Sequence, residues 1–323
     1  MVGSYDRKID TLRISITDRC NLNCFYCKNK NFFHSSKTSI LSYEEIFKIV
    51  KCFVSLGINK IKLTGGEPLL RKQSVDLIKI LLSLHLEDLV LTTNGTLLTG
   101  YASQLYGAGL KRINISLDTL KKDKFMFLTG SDRFEDVFEG IKVSLKTGFS
   151  PVKLNVVLLK GINDDEIIDF IELGEKYESL IIRFIELMPA NSNLKDWKRY
   201  FLSRAEVLNE IKKLGKVIPK EKNFTGFGPA EYFEIFEHKV TFGIISPITK
   251  PFCSTCNRVR MNCKGELILC LYGASSIDLK YFLRNSSEED LTSIIRQSVL
   301  RKPTGYNFGE VPGSKVAMCE IGG

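Results

Sequence analysis

The chain has 323 residues, 44% hydrophobic and 26% charged, which suits a globular protein of one large domain, or one domain with a smaller appendage. No run approaches the ~18 uninterrupted apolar residues of a membrane span, and the polar stretch Met1 to Asp10 is no secretion signal, so a cytoplasmic location and no membrane partner are expected. The formal charge of +9 allows a solvated basic surface or a polyanionic partner; without a long Lys/Arg block, a nucleic-acid-binding tail is not indicated.

In chain order, Thr11–Thr17, Lys60–Thr64, Asp88–Thr92, Lys111–Ser116, Val152–Leu158 and Leu180–Glu186 are short runs rich in Ile, Val and Leu, the pattern of buried parallel strands. Helical stretches lie between them. One starts at Ser42, where Glu45 completes a capping box; others cover Arg71–His85, Leu97–Ala108, Phe134–Thr147 and Asp164–Glu178. Such strand–helix units predict an α/β fold over residues 1–190, a partial (β/α)6 barrel that falls short of eight units, with chemistry at the C-terminal strand ends. Residues 191–323 change pattern. A helix near Arg204–Leu214, a hairpin in EYFEIFEHKVTFGII, a Cys-rich hairpin and a helix near Glu288–Val299 predict a smaller C-terminal α+β domain.

Nine cysteines in a reducing compartment suggest metal or redox chemistry rather than disulfides. Cys20, Cys24 and Cys27 have the spacing C-x3-C-x2-C directly after the first strand. Iron–sulfur clusters normally take four Cys ligands, so three local thiolates leave one iron open. A zinc site borrowing a remote fourth ligand is the competing reading, with His34 the only histidine near. Cys253, Cys256, Cys263 and Cys270 could likewise form a four-cysteine zinc site. Strands over Arg258–Asn262 and Glu266–Cys270 would bring Cys270 back beside Cys256 and leave Cys263 at the turn, roughly 20 Å away at strand rise, so three thiolates again remain. Arg258 and Arg260, two apart on a strand, share the face beside them, and paired guanidiniums suit phosphate. Cys52, in an apolar helical run, reads as a core residue.

Polar motifs end the strands: Lys62-Leu63-Thr64-Gly65-Gly66-Glu67-Pro68, Thr92-Thr93-Asn94-Gly95 and Ser116-Leu117-Asp118. Each could serve as a turn former or cap; together they can face one pocket. Arg13 and Lys153 lie inside strands expected to be buried. An unpaired buried charge is costly, so the set Arg13, Lys62 and Lys153 points to a bound anion.

C-x3-C-x2-C with Tyr26 before the third Cys is the signature of the radical S-adenosylmethionine (SAM) superfamily, and GGEP resembles its element for the SAM amino group. TDRCNLNCFYC, LTGGEPLLR, RFIELMP, FCSTCNRVR and the closing IGG further resemble the GTP 3′,8-cyclase family of molybdenum-cofactor biosynthesis, from about Leu12 to Gly323. That resemblance implies two [4Fe–4S] clusters, one on Cys20, Cys24 and Cys27 and one on Cys253, Cys256 and Cys270. It implies SAM near Tyr26, Gly66, Ser116 and Met188. It implies GTP near Arg13, Lys62, Thr92, Lys153 and the Arg258-Val259-Arg260 run, and a Gly322-Gly323 tail that enters the site and assists cyclisation. The implied partners are GTP, an electron donor and a downstream cyclic pyranopterin monophosphate synthase; nucleic acid is disfavoured and a homodimer is left open. The alternatives are a peptide-modifying radical SAM enzyme with an auxiliary cluster, or a basic zinc-binding nucleic-acid protein. Cys263 and Cys319 are not expected of the family, and Lys28 to Ser39 matches none of its motifs.

Overall fold

The structure, a computed structural model, describes residues 1, 7–27, 34–36, 38–189, 196–221, 228–273, 276–305 and 318–321. The first half alternates strands and helices: β1 (Thr11–Ser15), α1 (Tyr43–Ser55), β2 (Lys60–Thr64), α2 (Ser74–Leu82), β3 (Asp88–Thr93), α3 (Leu98–Gly107), β4 (Arg112–Ser116), α4 (Lys122–Thr129), α5 (Phe134–Thr147), β5 (Val152–Leu158), α6 (Ile167–Glu175) and β6 (Leu180–Glu186). The second half adds α7 (Arg204–Ile211), β7 (Val217–Lys220), β8 (Glu231–Ile235), β9 (Val240–Ile245), β10 (Arg258–Met261), β11 (Glu266–Ile268), β12 (Ser276–Asp278), α8 (Leu279–Asn285), α9 (Glu288–Leu300) and α10 (Met318–Ile321).

Local chemistry accounts for most boundaries. Ser42 caps α1 and Glu45 reaches back to the Ser42 N–H at 2.8 Å, the reciprocal pair expected from the sequence. α2 is shorter than the expected Arg71–His85, because Pro68–Leu70 forms a separate 3-10 turn and Gln73 enters the left-handed region at φ 61°. α6 likewise begins after a 3-10 turn over Asp164–Glu166. β1 stops at Ser15, two residues early, because the Thr17 carbonyl is drawn away to the Gly66 N–H at 2.6 Å. Five elements lie outside the sequence expectation: α4, β7, β12, α8 and α10. α4, KDKFMFLT, has little amphipathic signal and ends on Gly130 at φ 64°. β7 carries Pro219, which is tolerated because β7 is an edge strand.

Among the described residues, twelve strands form one sheet in the order β12-β11-β10-β1-β2-β3-β4-β5-β6-β9-β8-β7. The run from β10 to β9 is parallel throughout, and antiparallel hairpins extend both ends. Residues past 190 therefore border the six-strand unit on both flanks, β9 beside β6 and β10 beside β1.

Side-chain alternation divides the sheet. Leu12, Ile14, Ile61, Leu63, Ile113 and Ile115 join the main apolar core on one face, packed against the helices. The other face carries Arg13, Lys62, Thr92, Asn114, Lys153 and Arg183: Arg13 pairs with Lys62, Thr92 with Asn114 and Asn114 with Lys153, while Thr92 and Arg183 each stand two residues beyond the partners of Lys62 and Lys153, Val90 and Ile181. Parallel strands buried on both faces are usually apolar throughout, so this polar inner face is a departure that needs a partner. Among the described residues no helix is long and apolar enough to cross a membrane.

Candidate active site

The polar inner face lines a cavity of about 370 Å³. Cys20, Cys24 and Cys27 stand on its wall beyond the C-terminal end of β1. A tight turn, with the Cys27 N–H on the Cys24 carbonyl at 3.0 Å, draws the last two together. The C-terminal end of α4 holds this loop, accepting at the Thr129 carbonyl from the Asn23 N–H (2.8 Å) and at the Leu128 carbonyl from the Phe25 N–H (3.2 Å). Two donors point at the Cys20 sulfur, the Leu22 N–H at 3.5 Å and Asn94 Nδ2 at 3.7 Å, as outer donors to a metal-bound thiolate do.

Gly65 and Gly66 pack against the chain entering this loop. The Glu67 N–H donates to the Arg19 carbonyl at 2.7 Å, and a Cβ on Gly66 would lie 2.3 Å from that oxygen. Close backbone approach is thus a packing requirement here, beside any role in ligand binding. The buried Glu67 carboxylate fastens the end of β2 to that of β3, accepting from Thr93 Oγ1 (2.8 Å) and the Asn94 N–H (2.7 Å). Burial nevertheless pushes it up to about 7. Gly66, Tyr26, Ser116 and Met188 all line the cavity, and Met188 packs in an apolar cluster that also holds Cys270. Tyr26 donates its hydroxyl to Asp118, and burial raises both groups, Asp118 to about 6.

Cys253, Cys256 and Cys270 line the same cavity from the other end. Cys256 stands two residues before β10, which runs parallel to β1, whereas Cys20 stands beyond the end of β1. The two cysteine nests therefore lie toward opposite ends of the β1 and β10 pair. Burial alone would raise the Cys256 thiol; Arg258 and then Lys302 bring it down to about 7. Cys263 lies at the hairpin turn, off the cavity, where its carbonyl accepts from the Leu41 N–H at 2.8 Å. Burial, and then Asp18, push its thiol up to about 11. Among the described residues no group of three His, Cys, Asp or Glu side chains is arranged to hold a metal ion.

Between the nests the wall is cationic. Arg13, Lys62, Arg183, Arg258 and Arg260 line the cavity, and Lys153 lines a narrow extension of it with Lys62 and Arg183. Arg13 and Arg260 are register partners, as are Arg13 and Lys62. Burial and mutual repulsion lower them: Arg13 and Lys62 well below their usual values, Lys153 to about 6 and Arg260 to about 10. Few acceptors offset them. Arg183 donates to Asn114 Oδ1 at 2.9 Å, and Asn114 donates to Thr92 Oγ1 at 3.1 Å. The Nε atoms of Arg13 and Arg183 are buried without a hydrogen-bond partner. A wall so arranged is built to take a polyanion.

Most of the sequence-expected residues meet in this cavity. Val259 does not: its side chain faces the apolar core, so only its backbone can reach a ligand. Gly322, Gly323 and residues 28–33 lie outside the described residues, but the Ile321 carbonyl directly before the glycines accepts from Arg260 at 3.4 Å. Sequence reading missed Arg183, Asn114 and Lys302. Arg183 could have been found by the argument applied to Arg13, a charge inside the apolar run LIIRFIE.

Two family profiles match, the radical SAM superfamily over residues 14–174 and Molybdenum Cofactor Synthesis C over residues 180–308. Among solved structures, Streptococcus suis SuiB bound to precursor peptide SuiA superposes with a TM-score of 0.64 at 14% identity, covering 97% of this chain and 76% of that one, a likeness of fold alone. A curated GTP 3′,8-cyclase of Thermodesulfovibrio yellowstonii is 46% identical over the full length of both chains. That of Peptoclostridium acidaminophilum is 42% identical, covering 100% of this chain and 98% of its own. With both nests and the cationic wall between them falling inside those matches, the chain belongs to the GTP 3′,8-cyclase family of radical SAM enzymes.

Proposed function

We propose that this protein is a GTP 3′,8-cyclase that forms 3′,8-cyclo-7,8-dihydro-GTP, with one [4Fe–4S] cluster and SAM at the first nest and a second [4Fe–4S] cluster at the other. The observation that carries the reading is one cavity with a three-cysteine nest at each end and buried cations between. Its volume of about 370 Å³ lies in the range of small-molecule sites. When bound, the cluster and SAM at the first nest would supply the 5′-deoxyadenosyl radical that takes the ribose 3′-hydrogen of GTP; closure of C3′ onto guanine C8 would leave the unpaired electron on the purine, and one further electron from the donor with a proton at N7 would complete the 7,8-dihydro product.

The chain's own residues bind and orient. Tyr26, Gly66, Ser116 and Met188 hold SAM beside Cys20, Cys24 and Cys27. Arg13, Lys62, Lys153, Arg258 and Arg260, with Arg183 added from the structure, neutralise the triphosphate, and Thr92 and the Val259 backbone complete its contacts. Cys253, Cys256 and Cys270 leave one iron position open for guanine. Gly322-Gly323, following Ile321 beside Arg260, assists closure. An electron donor and a downstream cyclic pyranopterin monophosphate synthase complete the setting. The test incubates anaerobically reconstituted protein with SAM, dithionite and GTP. 5′-Deoxyadenosine should form faster with GTP than without, alongside a cyclised product; equal rates would remove GTP as substrate.

A further inference from the structure

Three segments far apart in sequence converge on the second nest. Arg7, only 6% exposed, donates to four backbone carbonyls: Cys253 (3.0 Å), Lys302 (3.0 Å), Pro303 (2.8 Å) and Thr304 (3.4 Å). It thereby ties the strap 302–304 to the first cysteine of the nest. The strap continues into Gly305, where a Cβ would lie 3.1 Å from that of Cys253, so the chain runs flush against the ligand. Lys302 is 3% exposed and sends its ammonium inward to the carbonyl of Leu269, next to Cys270. It also lines the cavity beside Cys256, Cys270 and Arg258.

A single hydrogen bond uses one of three ammonium protons, and burying a lysine so deeply is costly without a nearby negative charge. The thiolates of the nest supply it. The same residue therefore does two things: it fixes the backbone before Cys270 and places its ammonium in the cavity beside Cys256 and Cys270. Net charge and hydrogen bonding around the sulfurs set the reduction potential of an iron–sulfur cluster.

We propose that Lys302 is a positioning residue whose ammonium sets the reduction potential of the cluster bound by Cys253, Cys256 and Cys270, and that Arg7 holds it there by clamping the 302–304 strap to Cys253. The inference rests on the proposed second cluster. A cation beside the cluster stabilises its reduced, more negative state, so its removal makes reduction harder.

The experiment uses the reconstituted full chain and reads iron content and the midpoint of each cluster by redox titration followed by electron paramagnetic resonance. Lys302→Met should keep about eight irons and lower the second-cluster midpoint, with the first unmoved. Lys302→Arg, which keeps the charge, should restore the midpoint. Arg7→Met should lose up to about four irons, all from the second nest, and Arg7→Lys should retain part of them. An unchanged midpoint in Lys302→Met, or full second-cluster occupancy in Arg7→Met, would overturn the proposal. If Lys302→Met loses its second cluster, a midpoint in Lys302→Arg equal to that of the unaltered chain still supports it, and a shifted one refutes it. Unaltered protein with only about four irons would instead overturn the second-cluster reading itself.

Discussion

Lys153 shows what the cavity asks of a ligand. Burial, then Arg183, Arg112 and Lys62, hold its ammonium down to about 6, so near pH 7.5 it is largely neutral. In the free protein this costs stability: the unfolded chain binds the extra proton between about 6 and the usual 10.5, so this residue's contribution makes stability rise with pH across that window. A triphosphate reverses the balance, because opposite charge favours the protonated form. GTP binding near pH 7.5 should therefore take up protons, and affinity should fall as pH rises above about 6. Calorimetry in buffers of different ionisation enthalpy measures this directly. Lys153→Met should reduce the uptake, leaving the share of Lys62, and bind GTP roughly ten- to a hundredfold more weakly, the value of a hydrogen bond to a charged group. Buffer-independent heats would contradict the assignment.

At the scale of elements, the first nest depends on the loop after β2 as much as on the cysteines. Gly66→Ala would place a methyl 2.3 Å from the Arg19 carbonyl, which cannot give way without parting the two loops. It should lose up to about four of about eight irons, from the first nest, while the second is retained; iron analysis and separate cluster spectra check this. Retention of both clusters would mean that the contact is dispensable. The same loops show what could be read in advance. The Ser42 and Glu45 capping box, and strands β2, β5 and β6 at their observed limits, were legible because caps and Ile/Val/Leu runs are local signals. α4 was not, since its sequence has almost no amphipathic pattern and it is held by tertiary contacts beneath the cysteine loop. Both cysteine spacings were legible; the support from Arg7 and Lys302 was not, because no local pattern marks a contact between residues 295 apart, or the reach of Lys302 to Leu269 across 33.

Across the whole molecule, the sheet does not respect the boundary expected near residue 190. β10 supplies the register partners of β1, and β9 those of β6. A fragment ending at residue 190 would bare both edges of a parallel sheet, together with the buried cations Arg13 and Lys62, and exposed edges invite self-association. It should elute as aggregate rather than monomer in size-exclusion chromatography, and fail to hold the first cluster. A monomeric, iron-loaded fragment would show that the first half folds independently. The flanking arrangement also bears on how the protein is made. The partner of Arg13 on β10 is Arg260, so β1 leaves the ribosome long before its neighbour exists. During synthesis the six-strand unit waits with one margin open on each side. A newborn chain thus keeps two unpaired strand edges, open to wrong partners, until its last third arrives to seal both.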